Sequence, residues 1–150
     1  MALTGNLKVP PTASGALAFS CPKRTILVAE DSADSREMLQ VLLELKGYAV
    51  VCAADGHRAI KVAMQTIPDL ILIDLQLPGL DGVSVAKELR LHPELHSVPI
   101  IIISGHDPAK YRTDALRAGC DDYLLKPIDF DRLDQILHER IPAIVRARTA

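Results

Sequence analysis

The sequence predicts an α/β fold, in which a parallel sheet is covered by helices on both faces. Two observations support this fold class. Five short apolar runs follow one another along the chain, and each is followed by a segment with helix-like spacing of apolar residues. The chain has 150 residues, of which 49% are apolar and 24% charged. One domain with a single layered core is therefore expected.

The predicted strands are apolar runs of five or six residues, too short for membrane helices, which need about 20 residues. In chain order the strands are expected at Thr25–Ala29, Ala49–Ala54, Leu70–Asp74, Pro99–Ser104 and Asp122–Lys126. Because each run is almost continuously apolar, the strands are expected to be buried on both faces of the sheet.

The segments between the runs predict five helices. At the start of the first helix, Asp34 and Glu37 resemble a capping box. Met38, Leu42 and Leu45 are expected to form the apolar face of this helix. The other four helices are expected at 55–65, 83–91, 109–118 and from 130 onward.

The two ends of the chain differ in composition from the middle. Residues 1–22 are rich in Pro, Ala, Ser, Thr and Gly and contain no acidic residue, which predicts a flexible tail. The domain is expected at 23–141, and residues 142–150 as a short C-terminal tail or helix end, since Pro142 disfavours a continuing helix. A second domain is not expected.

Charge and cysteine content narrow the functional classes. The net charge of −2 gives no general attraction to nucleic acid or to anionic membranes. Cys21, Cys52 and Cys120 are odd in number and form no CxxC pair, which argues against disulfides or zinc and favours the reducing cytoplasm. Cys52 is expected in the core and Cys120 in a loop. Asp121–Asp122 is expected to be solvated.

Three carboxylates stand where predicted strands end. Glu30 and Asp31 follow the first strand, and Asp74 ends the third. In open parallel sheets ligands bind at the carboxyl ends of the strands. Three carboxylates at one edge repel one another unless a cation lies between them. Oxygen ligands of this kind favour Mg²⁺ over Zn²⁺.

Two more polar residues end strands at the same predicted edge. Ser104 ends the fourth strand and Lys126 the fifth. A carboxylate nucleophile, Mg²⁺, an ammonium group and a hydroxyl are together suited to phosphoryl transfer. Asp74 by itself would be an ordinary aspartate before a Pro-Gly turn, so its functional interpretation depends on this combination.

In this order, the motifs resemble the receiver domain of two-component response regulators, the CheY-like superfamily. The motifs are AEDS at 29–32, LILIDLQLPGLDG at 70–82, IIIISG at 100–105 and GCDDYLLKP at 119–127. The resemblance covers nearly the whole chain outside the N-terminal tail. It implies a flavodoxin-like, doubly wound sheet of five parallel strands in the order 2-1-3-4-5, with five helices.

The resemblance also implies roles for the residues at the strand ends. Asp74 would accept a phosphoryl group from the phosphohistidine of a histidine kinase. Glu30, Asp31, Asp74 and the backbone carbonyl of Gln76 would hold Mg²⁺ (or Mn²⁺). Lys126 would contact the phosphoryl group and stabilise its charge.

Five residues would act in switching or in setting the phosphoryl lifetime, and one of them, Ser104, would also belong to the catalytic set with Asp74 and Lys126. Ser104 would move toward the phosphoryl group, Tyr123 would rotate inward with it, and Gly105 would leave space for this motion. In this family the residues two after the phosphoacceptor and two after the hydroxyl flank the path of the attacking water. Gln76 and His106 hold these positions, so they are expected to set the phosphoryl lifetime.

The resemblance implies a stand-alone, cytoplasmic signalling switch that catalyses only its own phosphorylation and dephosphorylation. Its partners would be a sensor histidine kinase or histidine phosphotransfer protein and an unidentified downstream protein, without direct contact to nucleic acid or membrane. Output would use the face formed by the fourth helix, fifth strand and fifth helix. Two alternatives stay open: a phosphorelay intermediate that passes phosphate to a histidine phosphotransfer protein, and a non-phosphorylated interaction module.

Rival families with similar topology or chemistry fit less well. An FMN-binding flavodoxin needs a phosphate loop where the acidic EDSADS stands. A haloacid-dehalogenase-like phosphohydrolase carries a DxD motif after its first strand, which is absent here. A cobalamin-binding module carries DxHxxG, and Gln76 occupies the place of its histidine ligand.

Overall fold

Five strands and five α-helices alternate along residues 23–141, the part of the chain that this computed structural model describes. The elements are β1 (Thr25–Ala29), α1 (Ala33–Leu45), β2 (Ala49–Ala53), α2 (Gly56–Thr66), β3 (Leu70–Asp74), α3 (Gly82–Arg90), a 3₁₀ turn (Pro93–Leu95), β4 (Ile100–Ser104), α4 (Pro108–Arg117), β5 (Asp122–Leu125) and α5 (Phe130–Arg140). The expectations for residues 1–22 and 142–150 lie outside the described residues. Within 23–141, no helix has the length and apolarity needed to cross a membrane.

The strands form one parallel sheet in the order β2-β1-β3-β4-β5. This confirms the predicted order 2-1-3-4-5. The central strands β3 and β4 are buried at every position, because helices cover both faces. Parallel pairing also brings the carboxyl ends of all five strands to one edge, where Asp74 lies opposite Ile103.

The core lies in two layers, one on each face of the sheet. Alternation along β3 directs Ile71 and Ile73 to the layer under α2, α3 and α4. Leu70 and Leu72 face the other layer, under α1 and α5. The apolar contacts on both faces hold β3 rigidly, and therefore fix the position of Asp74 at its end.

The start of α1 differs from the prediction. Its N-cap is Ser32, whose Oγ accepts a hydrogen bond from the Ser35 N–H at 3.4 Å. Asp34 already lies in the first helical turn. The capping box expected at Asp34 and Glu37 is therefore wrong, because the chain enters the helix two residues earlier.

The buried side of α1 also differs from the prediction. Leu39 and Leu43 are fully buried, whereas Met38 is 47% and Leu45 81% exposed. Two adjacent stripes of α1 are apolar, and the sheet buries the one through Leu39 and Leu43. Of the predicted face only Leu42 packs partly against the core. An exposed apolar stripe is left on the surface.

Asp121 and Asp122, at the start of β5, were predicted to be solvated, and this prediction is wrong. Asp122 is buried and forms an ion pair with Arg132 at 2.9 Å. Asp121 is half-buried, pairs with Arg90 at 3.0 Å and accepts the Ile100 N–H. These contacts satisfy backbone and charged groups that would otherwise be buried without partners.

Cys120 lies in the loop after α4, as expected, whereas Cys52 is less buried than a core residue. Cys120 is buried, and burial raises the pKa of its thiol to about 12. Cys52, on the edge strand β2, is only half-buried. The Cys120 N–H bonds to the carbonyl of Ala115 at 3.0 Å, at the end of α4, and Cys52 packs partly against the core layer under α1 and α5.

Candidate functional site

Three carboxylates meet at the carboxyl ends of β1 and β3. Glu30 extends β1 by one residue, since its N–H bonds to the Ala53 carbonyl at 3.0 Å. Glu30, Asp31 and Asp74 each place one carboxylate oxygen within 4.8 Å of the others. Glu30 and Asp74 are buried and Asp31 is exposed. The predicted acidic cluster therefore forms, with Asp31 on its solvent side.

Lys126 reaches this cluster from the end of β5. Its Nζ lies 2.7 Å from Oδ2 of Asp74 and 3.2 Å from Oε1 of Glu30. The Lys126 backbone is placed by its N–H, which bonds to the carbonyl of Ser104 at 2.8 Å. Burial lowers the pKa of the ammonium, but pairing with Asp74 and Glu30 outweighs burial, so this pKa lies above its ordinary value. Lys126 is thus charged.

Three carboxylates share one contacting ammonium group in this cluster, and the pKa of Glu30 reflects its burial among them. Burial raises the pKa of the Glu30 carboxyl, and the nearby Asp74 raises it further. The Ser32 N–H and Lys126 oppose this shift without cancelling it. Since the donors are oxygens and the cluster is deficient in positive charge, these residues fit a hard divalent cation such as Mg²⁺.

Gln76 lies next to the acceptor carboxylate. Its backbone N–H donates to Oδ1 of Asp74 at 2.9 Å, and its side chain is exposed. The backbone of Gln76 is therefore beside the cluster, as its predicted contribution of a carbonyl ligand requires. Glu30, Asp31, Asp74 and this carbonyl would hold Mg²⁺.

The two predicted switch residues both bind the backbone of His106. Ser104 Oγ accepts the His106 N–H at 2.9 Å, and the Tyr123 hydroxyl donates to the His106 carbonyl at 3.1 Å. Ser104 and Tyr123 are buried, 1% and 6% exposed. A Cβ placed on Gly105 would meet no atom within 4 Å, so there is open space beside this loop.

The side chains of Gln76 and His106 line one groove of about 440 Å³. The His106 ring packs against the ring of Tyr111 on α4, with centroids 5.0 Å apart. The structure therefore brings together the two residues expected to set the phosphoryl lifetime. That role stays a prediction.

Two residues near the site were not identified from the sequence. Arg36, in the first turn of α1, donates to the carbonyl of Glu30 at 2.9 Å. Gly82, at the start of α3, lies so close to the end of β3 that an added Cβ would be 2.7 Å from the Asp74 carbonyl. In the sequence, Arg36 is marked only by its position five residues after Asp31. Gly82 is marked only by the turn sequence LPGLDG, which it ends.

Comparison with known proteins agrees with this geometry. Residues 26–138 match the family described as response regulator receiver domain. The transcriptional regulatory protein ZraR of Salmonella typhimurium is 37% identical over 120 residues, which are 79% of this chain and 26% of ZraR. The response regulator PleD of Caulobacter vibrioides is 34% identical over 121 residues, 81% of this chain and 26% of PleD. The chain thus spans about a quarter of these two relatives.

Solved structures show the same fold. The receiver domain of the sensor histidine kinase PA1611 from Pseudomonas aeruginosa, which has a magnesium ion coordinated in its active site cleft, superimposes with a TM-score of 0.75 at 34% identity. The match covers 81% of this chain and all of that one. The chemotaxis protein CheY4 of Vibrio cholerae gives 0.76 at 25% identity, over 80% of this chain and all of CheY4. The chain belongs to the response regulator receiver domain family, whose members accept phosphoryl groups in two-component signalling.

Proposed function

We propose that Asp74 is the phosphoacceptor of this receiver and that a phosphohistidine, on a sensor histidine kinase or a histidine phosphotransfer protein, is the donor. One observation carries the proposal. The Asp74 carboxylate is held at the sheet edge by Lys126 at 2.7 Å and by the Gln76 N–H at 2.9 Å, beside Glu30 and Asp31. A buried carboxylate with this surrounding charge is suited to in-line attack on phosphorus.

In the proposed transfer, an Asp74 carboxylate oxygen forms a bond to phosphorus while the phosphorus–nitrogen bond of the donor breaks. The electron pair leaves with the imidazole, which takes a proton from solvent. As the phosphoryl group is transferred, the Lys126 ammonium contacts its oxygens and stabilises their negative charge. Mg²⁺, when held by the acidic cluster, supplies the further positive charge that this transfer needs.

The surface beside the site supports a macromolecular donor. A cleft of about 290 Å³ has both Glu30 and Lys126 in its wall, together with Met38 and Phe130. Met38 and Phe130 are 47% and 41% exposed. Exposed apolar side chains that adjoin a reactive site are typical of protein-binding surfaces. We therefore assign the donor to the α1 side of the site.

We propose that the output passes through protein contacts on the face of α4, β5 and α5. Ser104 and Tyr123 bind the loop that leads into α4, so a phosphoryl group that attracts Ser104 would also change the contacts of this loop. Two of these elements carry exposed apolar residues, Leu116 on α4 and Leu125 on β5. A differential contact of this kind shifts such an equilibrium by about 1–3 kcal/mol.

The proposal also covers the protein's mode of action, the kind of partner it binds and the compartment in which it works. The chain would act as a single-domain switch that turns over no substrate other than its own phosphoryl group. The net charge of −2 favours protein partners over nucleic acid. Free Cys52 and Cys120 fit a reducing compartment, the cytoplasm.

The test is phosphorylation by acetyl phosphate in the presence of Mg²⁺, followed by mass spectrometry and a phosphate-affinity gel. The wild type is expected to gain one phosphoryl group, and Asp74→Asn none. Asp81→Asn is a matched control, because Asp81 caps α3 and asparagine caps helices equally well. A wild type that gains no phosphoryl group from acetyl phosphate or from a kinase would favour the interaction module. Loss of the group to an added histidine phosphotransfer protein would favour the relay intermediate.

A further inference from the structure

Arg36 binds the backbone between two of the predicted metal ligands. Its Nη1 donates to the carbonyl of Glu30 at 2.9 Å and makes a longer contact of 3.5 Å with the carbonyl of Asp31. The Glu30 carbonyl belongs to the peptide group that joins Glu30 to Asp31. Because this peptide is planar, fixing its oxygen also fixes the direction in which the Asp31 Cα follows.

Asp31 depends on this backbone more than the other ligands do. The Glu30 carboxylate accepts the Ser32 N–H and contacts Lys126, and the Asp74 carboxylate accepts the Gln76 N–H and contacts Lys126. The Asp31 carboxylate accepts no hydrogen bond from any residue between 23 and 141 and is exposed. Its aim toward the cluster is therefore set by the main chain.

The contact of Arg36 is not explained by pairing of charges. Among residues 23–141, the guanidinium forms no ion pair with a carboxylate, although the acidic cluster is close by. The positive charge of the Arg36 guanidinium also disfavours binding of Mg²⁺ by the cluster, because the two cations repel each other. The electrostatic effect of Arg36 on metal binding and its effect through the backbone thus have opposite signs.

We propose that Arg36 is a positioning residue for the divalent-cation site: it holds the Glu30–Asp31 peptide so that the Asp31 carboxylate faces Glu30 and Asp74. The inference deepens the proposed function, since it assumes that these carboxylates bind Mg²⁺. Partners of metal ligands that fix ligand direction typically contribute about 10–100-fold to metal affinity.

The test is a calorimetric titration with Mg²⁺ alone, without any phosphodonor. Arg36→Met keeps the aliphatic stem but removes the charge and the hydrogen bonds. We expect it to bind Mg²⁺ about 10-fold more weakly than the wild type, whereas removal of charge alone would tighten binding. Arg58→Met is the charge control, because Arg58 is exposed on α2 and pairs only with Asp55 among residues 23–141. Mg²⁺ binding to R36M as tight as to the wild type, or tighter, would overturn the proposal.

A double-mutant cycle with Asp31→Asn separates positioning from a general loss of structure. If Arg36 acts through Asp31, R36M no longer weakens Mg²⁺ binding in the D31N background, where only the loss of its charge remains and any change is toward tighter binding. An equal fold-loss in both backgrounds would overturn the proposal. Arg36→Gln, whose side chain is polar but too short to keep the contact, replaces R36M if that variant is unfolded by circular dichroism. Failure of Asp74 phosphorylation leaves these titrations unaffected, so the two proposals fail independently.

Discussion

The ammonium of Lys126 lies 2.7 Å from the Asp74 carboxylate, although 52 positions separate the two residues along the chain. The parallel sheet makes this contact, because β3 and β5 both end at the same edge. Lys126 also contacts Glu30, at the end of β1, so one side chain joins three strand ends. The positive charge expected to stabilise the transferring phosphoryl group is therefore in place beside the acceptor without rearrangement of the backbone.

Replacing Lys126 by methionine is expected to slow phosphorylation by acetyl phosphate about 10²–10³-fold, because it removes a preorganised positive charge from the transferring group. The measurement is the initial rate of phosphoprotein formation at saturating Mg²⁺. Lys61→Met, an exposed lysine on α2, is the matched control and should leave the rate unchanged. An unchanged rate in K126M would show that Lys126 serves only the fold.

Gln76→Ala and His106→Ala are expected to change the rate at which the phosphoryl group is lost, with little effect on its acquisition. Both side chains line one groove whose wall begins at Leu75, the residue after Asp74. A water that hydrolyses the phosphoryl group must approach phosphorus from the side opposite the carboxylate. The measurement is the decay of purified phosphoprotein after removal of the donor. Decay at the wild-type rate in both variants would contradict the lifetime role.

Much of the fold follows from the sequence because its strands are nearly pure apolar runs. Residues 70–73 are all apolar and all buried. Their sequence therefore predicts both the strand and its burial by helices on both faces of the sheet. The position of Asp74 then follows, since a residue that ends a parallel strand lies at the ligand-binding edge. The same reasoning placed Glu30 and Lys126 correctly, although they are far apart in the chain.

The errors arose where tertiary contacts choose between equivalent local patterns. On α1, the stripes through Met38 and through Leu39 are both apolar, and only the packing against the sheet decides which is buried. Asp122 is a turn-forming residue that becomes buried because Arg132, ten positions later, reaches it. The contact of Arg36 is hard to predict for a different reason: its partner is the backbone carbonyl of Glu30, and the identity of a residue says little about which side chain binds its carbonyl.

Gly82→Ala is expected to destabilise the fold and to impair Asp74. The added Cβ would lie 2.7 Å from the Asp74 carbonyl and 3.0 Å from the Leu75 Cα, so the backbone that carries the acceptor must shift. Overpacking of this kind costs about 1–3 kcal/mol in the free energy of unfolding, measurable by urea denaturation. The phosphorylation rate should fall as well.

Gly105→Ala provides the stability control for this substitution. A Cβ at Gly105 meets no atom within 4 Å, and its φ is not in the left-handed region. We therefore expect G105A to unfold at nearly the wild-type urea concentration. Equal free energies of unfolding for G82A and G105A would contradict the prediction. They would mean that α3 shifts away from β3 without loss of stability.

The exposed stripe of α1 gives a prediction that distinguishes protein donors from small ones. Met38 lines the cleft that also contains Glu30 and Lys126, but it contacts solvent rather than the core. Met38→Glu introduces a charge into the proposed docking surface. With a sensor histidine kinase that phosphorylates the wild type, the rate should fall roughly tenfold, as loss of a central interface residue worth about 1–2 kcal/mol implies.

With acetyl phosphate, which needs no docking surface, Met38→Glu should be phosphorylated as fast as the wild type. Leu91→Glu places the same charge on an exposed leucine that follows α3, outside that cleft, and should leave both rates unchanged. Equal slowing of M38E with both donors would show that the substitution disturbs the acceptor site itself. If the kinase phosphorylates M38E as fast as the wild type, the donor does not bind at α1. A glutamate buried in a protein contact without a partner would weaken that contact.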